Sequence, residues 1–132
     1  MELEIDVASA EPVYEQIVRQ VHQGVRQSTL APGAPLPAIR QCAADLGLNP
    51  NTVAKAYKLL ENDLVIRTAG PKGTFISQDA PQRVELLLRQ EAMRAIEQVV
   101  HGLRAKGLAA VELKEMFDAI VARENAHIKG TP

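Results

Sequence analysis

The run Leu-Gly-Leu-Asn-Pro-Asn at residues 46–51 places a helix stop directly before a helix start. Gly47 can adopt the left-handed conformation that ends a helix. Asn49 can cap the next helix through its side-chain oxygen, and Pro50 suits the first helical position, where its missing N–H costs no hydrogen bond. Two helices joined by such a short glycine turn are typical of a helix-turn-helix.

The segments around this turn have regular patterns of their own. Apolar residues at helical spacing predict a first helix over roughly residues 12–28, and a short helix before Gly47. The helix that starts after the turn should run to about Asn62. The β-prone runs 64–68 and 73–77 predict a hairpin with a basic tip. The predicted fold class is therefore mainly α with a small β-hairpin wing, in the order of a winged helix-turn-helix.

After residue 77 the pattern changes to one long amphipathic helix that ends near Gly107, and a shorter one behind it. Two such helices cannot bury their apolar stripes alone and form a stable core. We therefore divide the chain into a winged domain, residues 1–77, and a two-helix C-terminal dimerisation tail, residues 78–132, that pairs with a second copy. An apolar cleft between the tail helices is also a candidate site for a small-molecule effector. The predicted dimer-interface residues are Val84, Leu88, Ala92, Ile96, Val99, Leu103, Leu113, Met116, Phe117 and Ile120.

The helix after the turn has one polar and basic side. A helical wheel that turns about 100° per residue groups Val53, Ala56, Tyr57 and Leu60 on the side that should be buried. The opposite side presents Asn51, Lys55 and Lys58, with Thr52 on one flank. Asn can pair with adenine, Lys can bind guanine or phosphate, and Thr can contact phosphate, a base edge or the thymine methyl group.

A polar outward face is also what an ordinary solvated helix shows, and that alternative stays open from the helix alone. Two further cations favour a nucleic-acid surface: Arg40 on the preceding helix and Lys72 on the hairpin tip. The four aromatic side chains lie on apolar faces and are predicted to be core residues rather than a base-stacking platform.

Net charge, −1 over 132 residues, argues against a polyanionic partner until it is divided by segment. Residues 1–15 carry five acids and no base. Residues 16–77 carry seven bases and three acids, a net of +4. The remaining residues carry eight of each sign. A basic module is therefore hidden behind an acidic leader.

Other classes of protein find little support. The single cysteine, Cys42, cannot form an intramolecular disulfide and is predicted to be a packing residue, and the three histidines lack metal-ligand spacing. We predict no enzyme, no metal and no cofactor, because no nucleophile, acid/base or phosphate-loop motif occurs. The acidic N-terminus and the lack of a long apolar run predict a cytoplasmic protein without a membrane segment. A winged-helix protein-interaction module without DNA readout is the alternative function.

Several motifs in the same order resemble the GntR family of bacterial winged helix-turn-helix regulators, in particular its small YtrA-type subfamily. They cover about residues 5–77 and are Pro12-Val13-Tyr14-Glu15-Gln16-Ile17, Leu30-Ala31-Pro32-Gly33-Ala34-Pro35-Leu36-Pro37-Ala38-Ile39-Arg40, Leu46-Gly47-Leu48-Asn49-Pro50-Asn51-Thr52-Val53, Ala56-Tyr57-Lys58-Leu59-Leu60-Glu61 and Gly73-Thr74-Phe75-Ile76. The resemblance implies a homodimeric transcription factor that binds a double-stranded DNA operator, usually as a repressor and often of a transport operon.

The resemblance also implies which residues contact DNA. These are the arginine at Arg40, the helix start at Asn49, Pro50, Asn51 and Thr52, and the wing region with Gly70, Lys72, Gly73 and Thr74. Three positions depart from the family pattern. Pro50 replaces a common arginine, which shifts base reading toward Asn51, Thr52 and Lys55. The wing is one residue longer than usual, and Asp63 stands where relatives place glycine.

Overall fold

The computed structural model describes residues 1–129, with side chains up to residue 127. That part of the chain contains five α-helices, three short β-strands and a 3₁₀ turn, Gly70–Lys72, between the second and third strands. In chain order they are α1 Val13–Arg26, β1 Pro35–Leu36, α2 Ile39–Leu46, α3 Pro50–Asn62, β2 Ile66–Thr68, β3 Thr74–Ile76, α4 Ala80–Ala105 and α5 Ala110–Lys129. Within these residues, no helix combines the length and the apolar character needed to cross a membrane. The predicted fold class, mainly helical with a small wing, is confirmed.

The chain forms two compact units. We call Met1–Leu88 the winged unit and the part that begins at Arg89 the tail unit. All the predicted DNA-contacting residues lie in the winged unit.

The helix-turn-helix has the predicted ends. Gly47 is left-handed (φ 66°) and closes α2, and the N–H of Leu48 donates to the Ala43 carbonyl at 2.9 Å. The Asn49 side chain accepts a hydrogen bond from the N–H of Asn51 at 2.8 Å, and Pro50 is the first residue of α3. The turn between α2 and α3 is thus fixed at both ends by local hydrogen bonds.

The core of the winged unit lies between α1, α3 and the sheet. The four residues of α3 that the wheel placed inside are buried, as predicted, and so is Cys42. Ile17, Val21 and Leu60 have no exposed surface. Burying a side chain of this size contributes about 1.5–3 kcal/mol relative to leaving it exposed, so the contact of α1 with α3 holds the helix-turn-helix in place.

The end of α3 accommodates Asp63 without glycine. Asp63 is the C-cap and has φ −83°, a value that any residue can adopt. The left-handed conformation falls instead on Leu64, with φ 63°. A non-glycine residue in this region carries about 1–2 kcal/mol of strain, and the N–H of Val65 offsets part of it by donating to the Leu60 carbonyl at 2.9 Å.

The wing is a three-stranded antiparallel sheet in the order β1-β3-β2, rather than the predicted hairpin alone. The added strand, β1, pairs Pro35 with Phe75 and Leu36 with Thr74. Leu36 is buried, whereas Pro35 is exposed. Proline has no N–H to donate and is tolerated here because β1 is an edge strand.

The winged unit extends further along the chain than the predicted boundary at residue 77. Ala80 and Val84, in the first turns of α4, are buried in its core, Val84 with 1% of its surface exposed. The Arg26 guanidinium also pairs with the Glu85 carboxylate at 2.8 Å. The assignment of Val84 to the dimer interface is therefore wrong, because its side chain packs inside its own chain.

The acidic leader is bound along α1. The side-chain amide of Gln20 exchanges two hydrogen bonds with the backbone of Glu4, and that of Gln16 does the same with the backbone of Asp6. Gln16 also donates to the Glu11 carbonyl and is only 2% exposed. The two glutamines stand one turn apart on α1 and bind alternate residues of the leader.

In the tail unit, most of the described apolar side chains are exposed. Leu103 and Leu113 are half-buried. Five of the predicted interface residues each expose more than 40% of their surface, with 60% for Val99 and 52% for Phe117: Ile96, Val99, Met116, Phe117 and Ile120. Phe117 is thus not buried within its own chain, and its predicted place in the dimer interface stays a prediction.

Candidate nucleic-acid interface

The start of α3 is the centre of the candidate interface. Asn51, Lys55 and Lys58 are exposed, and Thr52 is half-buried, as the wheel predicted. The side-chain oxygen of Asn49 is occupied by the cap, so its role is to shape the start of α3. Asn51 leaves its whole side chain free of protein hydrogen bonds within the described residues and therefore presents both an acceptor and a donor outward.

Of the two lysines on the outward side of α3, Lys55 is the one whose ammonium group contacts an aromatic ring. Its ammonium nitrogen lies 3.9 Å from the centroid of the Tyr14 ring on α1, within cation–π range. The Tyr14 hydroxyl donates to the Glu15 carboxylate at 3.2 Å, and this hydrogen bond raises the pKa of Tyr14. Tyr14 packs against the core, as predicted, but it is only half-buried.

The position of Arg40 depends on a hydrogen bond between elements. Arg40 is exposed in the first turn of α2. The Tyr57 hydroxyl, on α3, donates at 2.7 Å to the carbonyl of Pro37, which lies just ahead of α2. This bond ties the start of α2 to α3. Burial raises the pKa of Tyr57, and burial also raises the pKa of the neighbouring Cys42 thiol, which argues against a reactive thiolate.

The tip of the wing is a closed turn. The 3₁₀ turn Gly70–Lys72 absorbs the extra residue, and the Ala69 N–H donates to the Gly73 carbonyl at 2.8 Å across its base. Gly70 and Gly73 both have positive φ, 58° and 114°. Lys72 is exposed at the tip, whereas Thr74 is half-buried at the start of β3.

The wing also carries a cation that the sequence interpretation did not include. Arg67 on β2 stands directly opposite Phe75 on β3, and its guanidinium lies 5.0 Å from the centroid of that ring. The register of the predicted hairpin was the signal that could have found this pair, because opposite residues on adjacent strands share a face. Arg67 is exposed and adds a positive charge to the wing.

The cations of this surface are not neutralised by acids. The ion pairs in the described part of the chain join Arg19 with Glu11, Arg26 with Glu85 and Arg83 with Asp79. None of them uses the cations of the candidate interface, which are Arg40, Lys55, Lys58, Arg67 and Lys72. Their charges remain available to phosphate groups. Over the same residues, no group of three or more His, Cys, Asp or Glu is placed to hold a metal ion.

Known proteins share this architecture. The sequence profile of bacterial regulatory proteins, gntR family, matches residues 13–76. The HTH-type transcriptional repressor YtrA of Bacillus subtilis is 34% identical over 97% of this chain and 95% of its own length. The chain belongs to the GntR family. This GntR-family chain is thus a DNA-binding transcriptional regulator built on a winged helix-turn-helix.

Two further relatives agree with this membership. HTH-type transcriptional regulator Rv1152 of Mycobacterium tuberculosis is 44% identical over 60% of this chain, which spans 65% of that regulator's length. A transcriptional regulator from Oenococcus oeni has a crystal structure that superposes with a TM-score of 0.71 at 33% identity, covering 89% of this chain and 97% of its own. The similarity to the Oenococcus oeni protein extends beyond the winged unit.

Proposed function

We propose that this chain is a homodimeric repressor that binds a palindromic operator, with the α3 helix of each copy in the major groove of one half-site. The observation that carries the proposal is the start of α3, where the exposed Asn51 shares the outward side of the helix with Lys55 and Lys58, two cations that have no acidic partner in the described residues. The similar Bacillus subtilis protein is named a repressor. A transport operon is the target that the family resemblance suggests.

The roles of the residues follow from their positions. Asn51 and Thr52 stand in the first turn of α3, where a helix in the major groove contacts base edges. Asn49 and Pro50 fix the start of that helix. Arg40, Lys58 and Lys72 are exposed cations on three different elements and are proposed to bind phosphates. Gly70, Gly73 and Thr74 set the shape of the wing tip that approaches the DNA backbone.

The tail unit is proposed to form the dimer. Its exposed apolar side chains are unfavourable in water, and their burial against a second copy would stabilise the dimer. A two-fold dimer of helix-turn-helix units binds half-sites about 34 Å apart, one turn of DNA, or a multiple of that distance. The apolar surface of the same unit is our candidate site for an effector, and the regulator is proposed to act in the cytoplasm without catalysis.

The test is binding to DNA from upstream of the protein's own gene, measured by gel shift and fluorescence anisotropy. The wild-type protein should bind this fragment more tightly than a scrambled one of equal composition, with an affinity that falls steeply as salt rises. Asn51→Ala should lose about 1–3 kcal/mol of discrimination at one base pair of each half-site. Asn62→Ala, at the other end of α3, is the matched control.

Lysine variants separate a specific interface from general charge. Lys58→Ala should weaken binding to every sequence, whereas Lys114→Ala, an exposed lysine of the tail unit, should not. Equal binding of the upstream and scrambled fragments would contradict the proposal. The proposal would also be contradicted if Asn51→Ala bound the operator, and every single base-pair variant of it, with the same affinities as the wild-type protein.

A further inference from the structure

The two lysines on the outward side of α3 differ in their freedom. The Lys55 ammonium is held 3.9 Å from the centroid of the Tyr14 ring. Lys58 is equally part of the outward side, but it has no ion pair, ring contact or hydrogen bond within the described residues. Only one of these cations is therefore held in a set direction before DNA binds.

The direction is toward α1. On a wheel with about 100° per residue, Lys55 lies about 40° to one side of Asn51 and Lys58 about 20° to the other. Tyr14 is in the first turn of α1, so its ring holds the Lys55 ammonium on the side of α3 that faces α1. The Tyr14 hydroxyl also donates a hydrogen bond to the Glu15 carboxylate at 3.2 Å, which restrains the position of the hydroxyl end of the ring.

We propose that Tyr14 is a positioning residue for DNA recognition: its ring holds Lys55 beside the first turn of α1, so that Lys55 binds a backbone phosphate and does not read a base. This inference rests on the proposed function. It changes the earlier interpretation, in which Lys55 shared base reading with Asn51 and Thr52.

The chemistry of the ammonium allows both contacts at once. An ammonium has three donors, so one side can face the ring while the other meets a phosphate oxygen. To reach a base edge, Lys55 would have to leave the ring, and losing this contact would lower the population of the base-reading conformer about two- to fivefold. Lys55 also lies one turn beyond Asn51 and Thr52, further from the end of α3 that a helix-turn-helix inserts deepest.

The experiment is a double-mutant cycle on the operator fragment that the wild-type protein binds. The proteins are the wild type, Tyr14→Leu, Lys55→Ala, the double variant, and Tyr14→Phe as the matched control that keeps the ring. Tyr14→Leu should weaken binding about two- to fivefold in the wild-type background and have no effect in the Lys55→Ala background. Tyr14→Phe should bind within about twofold of the wild type, since the ring face remains.

A panel of operators with single base-pair changes tests where Lys55 binds. Lys55→Ala should lose affinity by the same factor on every operator and lower the salt slope by about one, as expected for one lost phosphate contact. A different ranking of the operators would overturn the proposal, because it would show that Lys55 reads a base. Equal losses for Tyr14→Leu in both backgrounds would overturn it too, because Tyr14 would then act through packing.

A measurement on the free wild-type protein needs no substitution. The protons beside the Lys55 ammonium should be shifted upfield by the Tyr14 ring current, and those of Lys58 should not. The absence of this shift would overturn the inference while leaving the proposed function intact. If the wild-type protein bound no operator, the proposed function itself would fail.

Discussion

Tyr57 is a side chain of α3 that stabilises a neighbouring element as well as its own. It is 4% exposed, and its hydroxyl holds the carbonyl of Pro37 ahead of α2. Arg40 lies three residues beyond Pro37, so this hydrogen bond helps to place a proposed phosphate contact. A residue that looks like an ordinary core aromatic therefore contributes to the proposed DNA surface through one polar atom.

Tyr57→Phe should lower the free energy of unfolding by about 1–2 kcal/mol at neutral pH, because it leaves the Pro37 carbonyl without its donor. Urea unfolding followed by circular dichroism measures the change. Tyr14→Phe removes a more exposed hydroxyl and should cost less than about 0.5 kcal/mol. A smaller effect for Tyr57→Phe than for Tyr14→Phe would show that the hydrogen bond to Pro37 is not important for stability.

The same residue predicts a pH dependence at alkaline pH. Burial raises the pKa of Tyr57 above its usual value of 10.0. Above that pH the unfolded chain loses this proton while the folded chain keeps it, so the contribution is fully present below pH 10 and stability falls as the pH rises further. Stability of the wild type should fall more steeply than that of Tyr57→Phe in urea titrations above pH 10. Parallel curves would contradict the prediction.

At the residue scale, periodicity and local chemistry predicted much of the site. The wheel separated the buried from the exposed residues of α3, and Asn49 capped the helix as expected. Periodicity could not predict contacts between elements, such as that of Lys55 with Tyr14, because these depend on how α1 packs against α3. The Arg67 contact with Phe75 depends instead on the register of the hairpin, which sets the two residues opposite each other.

Among the elements, the turn between α2 and α3 depends on the conformation of Gly47. The residue has φ 66°, and a Cβ there would meet no neighbouring atom. Gly47→Ala should therefore destabilise by about 1 kcal/mol through backbone strain alone. Gly47→Asn should lose less, since asparagine tolerates this region. The midpoints of urea unfolding, at a constant m-value, measure these losses of stability. Equal midpoints for Gly47→Ala and the wild type would contradict the prediction.

The leader is an element that charge counting described as a plain acidic segment. Gln16→Ala removes three hydrogen bonds at a buried position and should cost about 1–3 kcal/mol. The backbone amide of Asp6 should then exchange faster with solvent. Gln20→Ala, at a half-exposed position, is the matched control and should cost less. Leu3 and Ile5 are partly buried against the core, and unchanged exchange at Asp6 in Gln16→Ala would mean that they hold the leader instead.

The elements that the sequence predicted well are the long periodic ones. The ends of α1, α3 and α4 fall within a few residues of their predicted positions. The strand β1 was missed because it has two residues and begins with a proline, which favours a loop assignment. The first turns of α4 were assigned to the tail because the apolar repeat runs without interruption through Val84, and periodicity does not tell which partner a helix face will meet.

At the scale of the whole molecule, the exposed apolar side chains of the tail unit predict self-association. Phe117→Glu should raise the dissociation constant of the dimer at least about a hundredfold, because a two-fold interface loses the side chain twice. Asn125→Glu adds the same charge at an exposed polar position of α5 and is the control. Analytical ultracentrifugation measures both. A wild-type protein that stays monomeric at micromolar concentration would contradict the dimer.

The sheet of the winged unit has one further consequence, for aggregation. A strand at the edge of a sheet offers its unpaired backbone groups to any passing extended chain. Here the outer edge is β1, where Pro35 has no N–H to offer and β1 itself ends after Leu36. At the other edge, β2 is three residues long and carries the exposed Arg67. Short, proline-containing and charged edges discourage strand addition, so copies of this protein should associate through their helices rather than through the edges of their sheets.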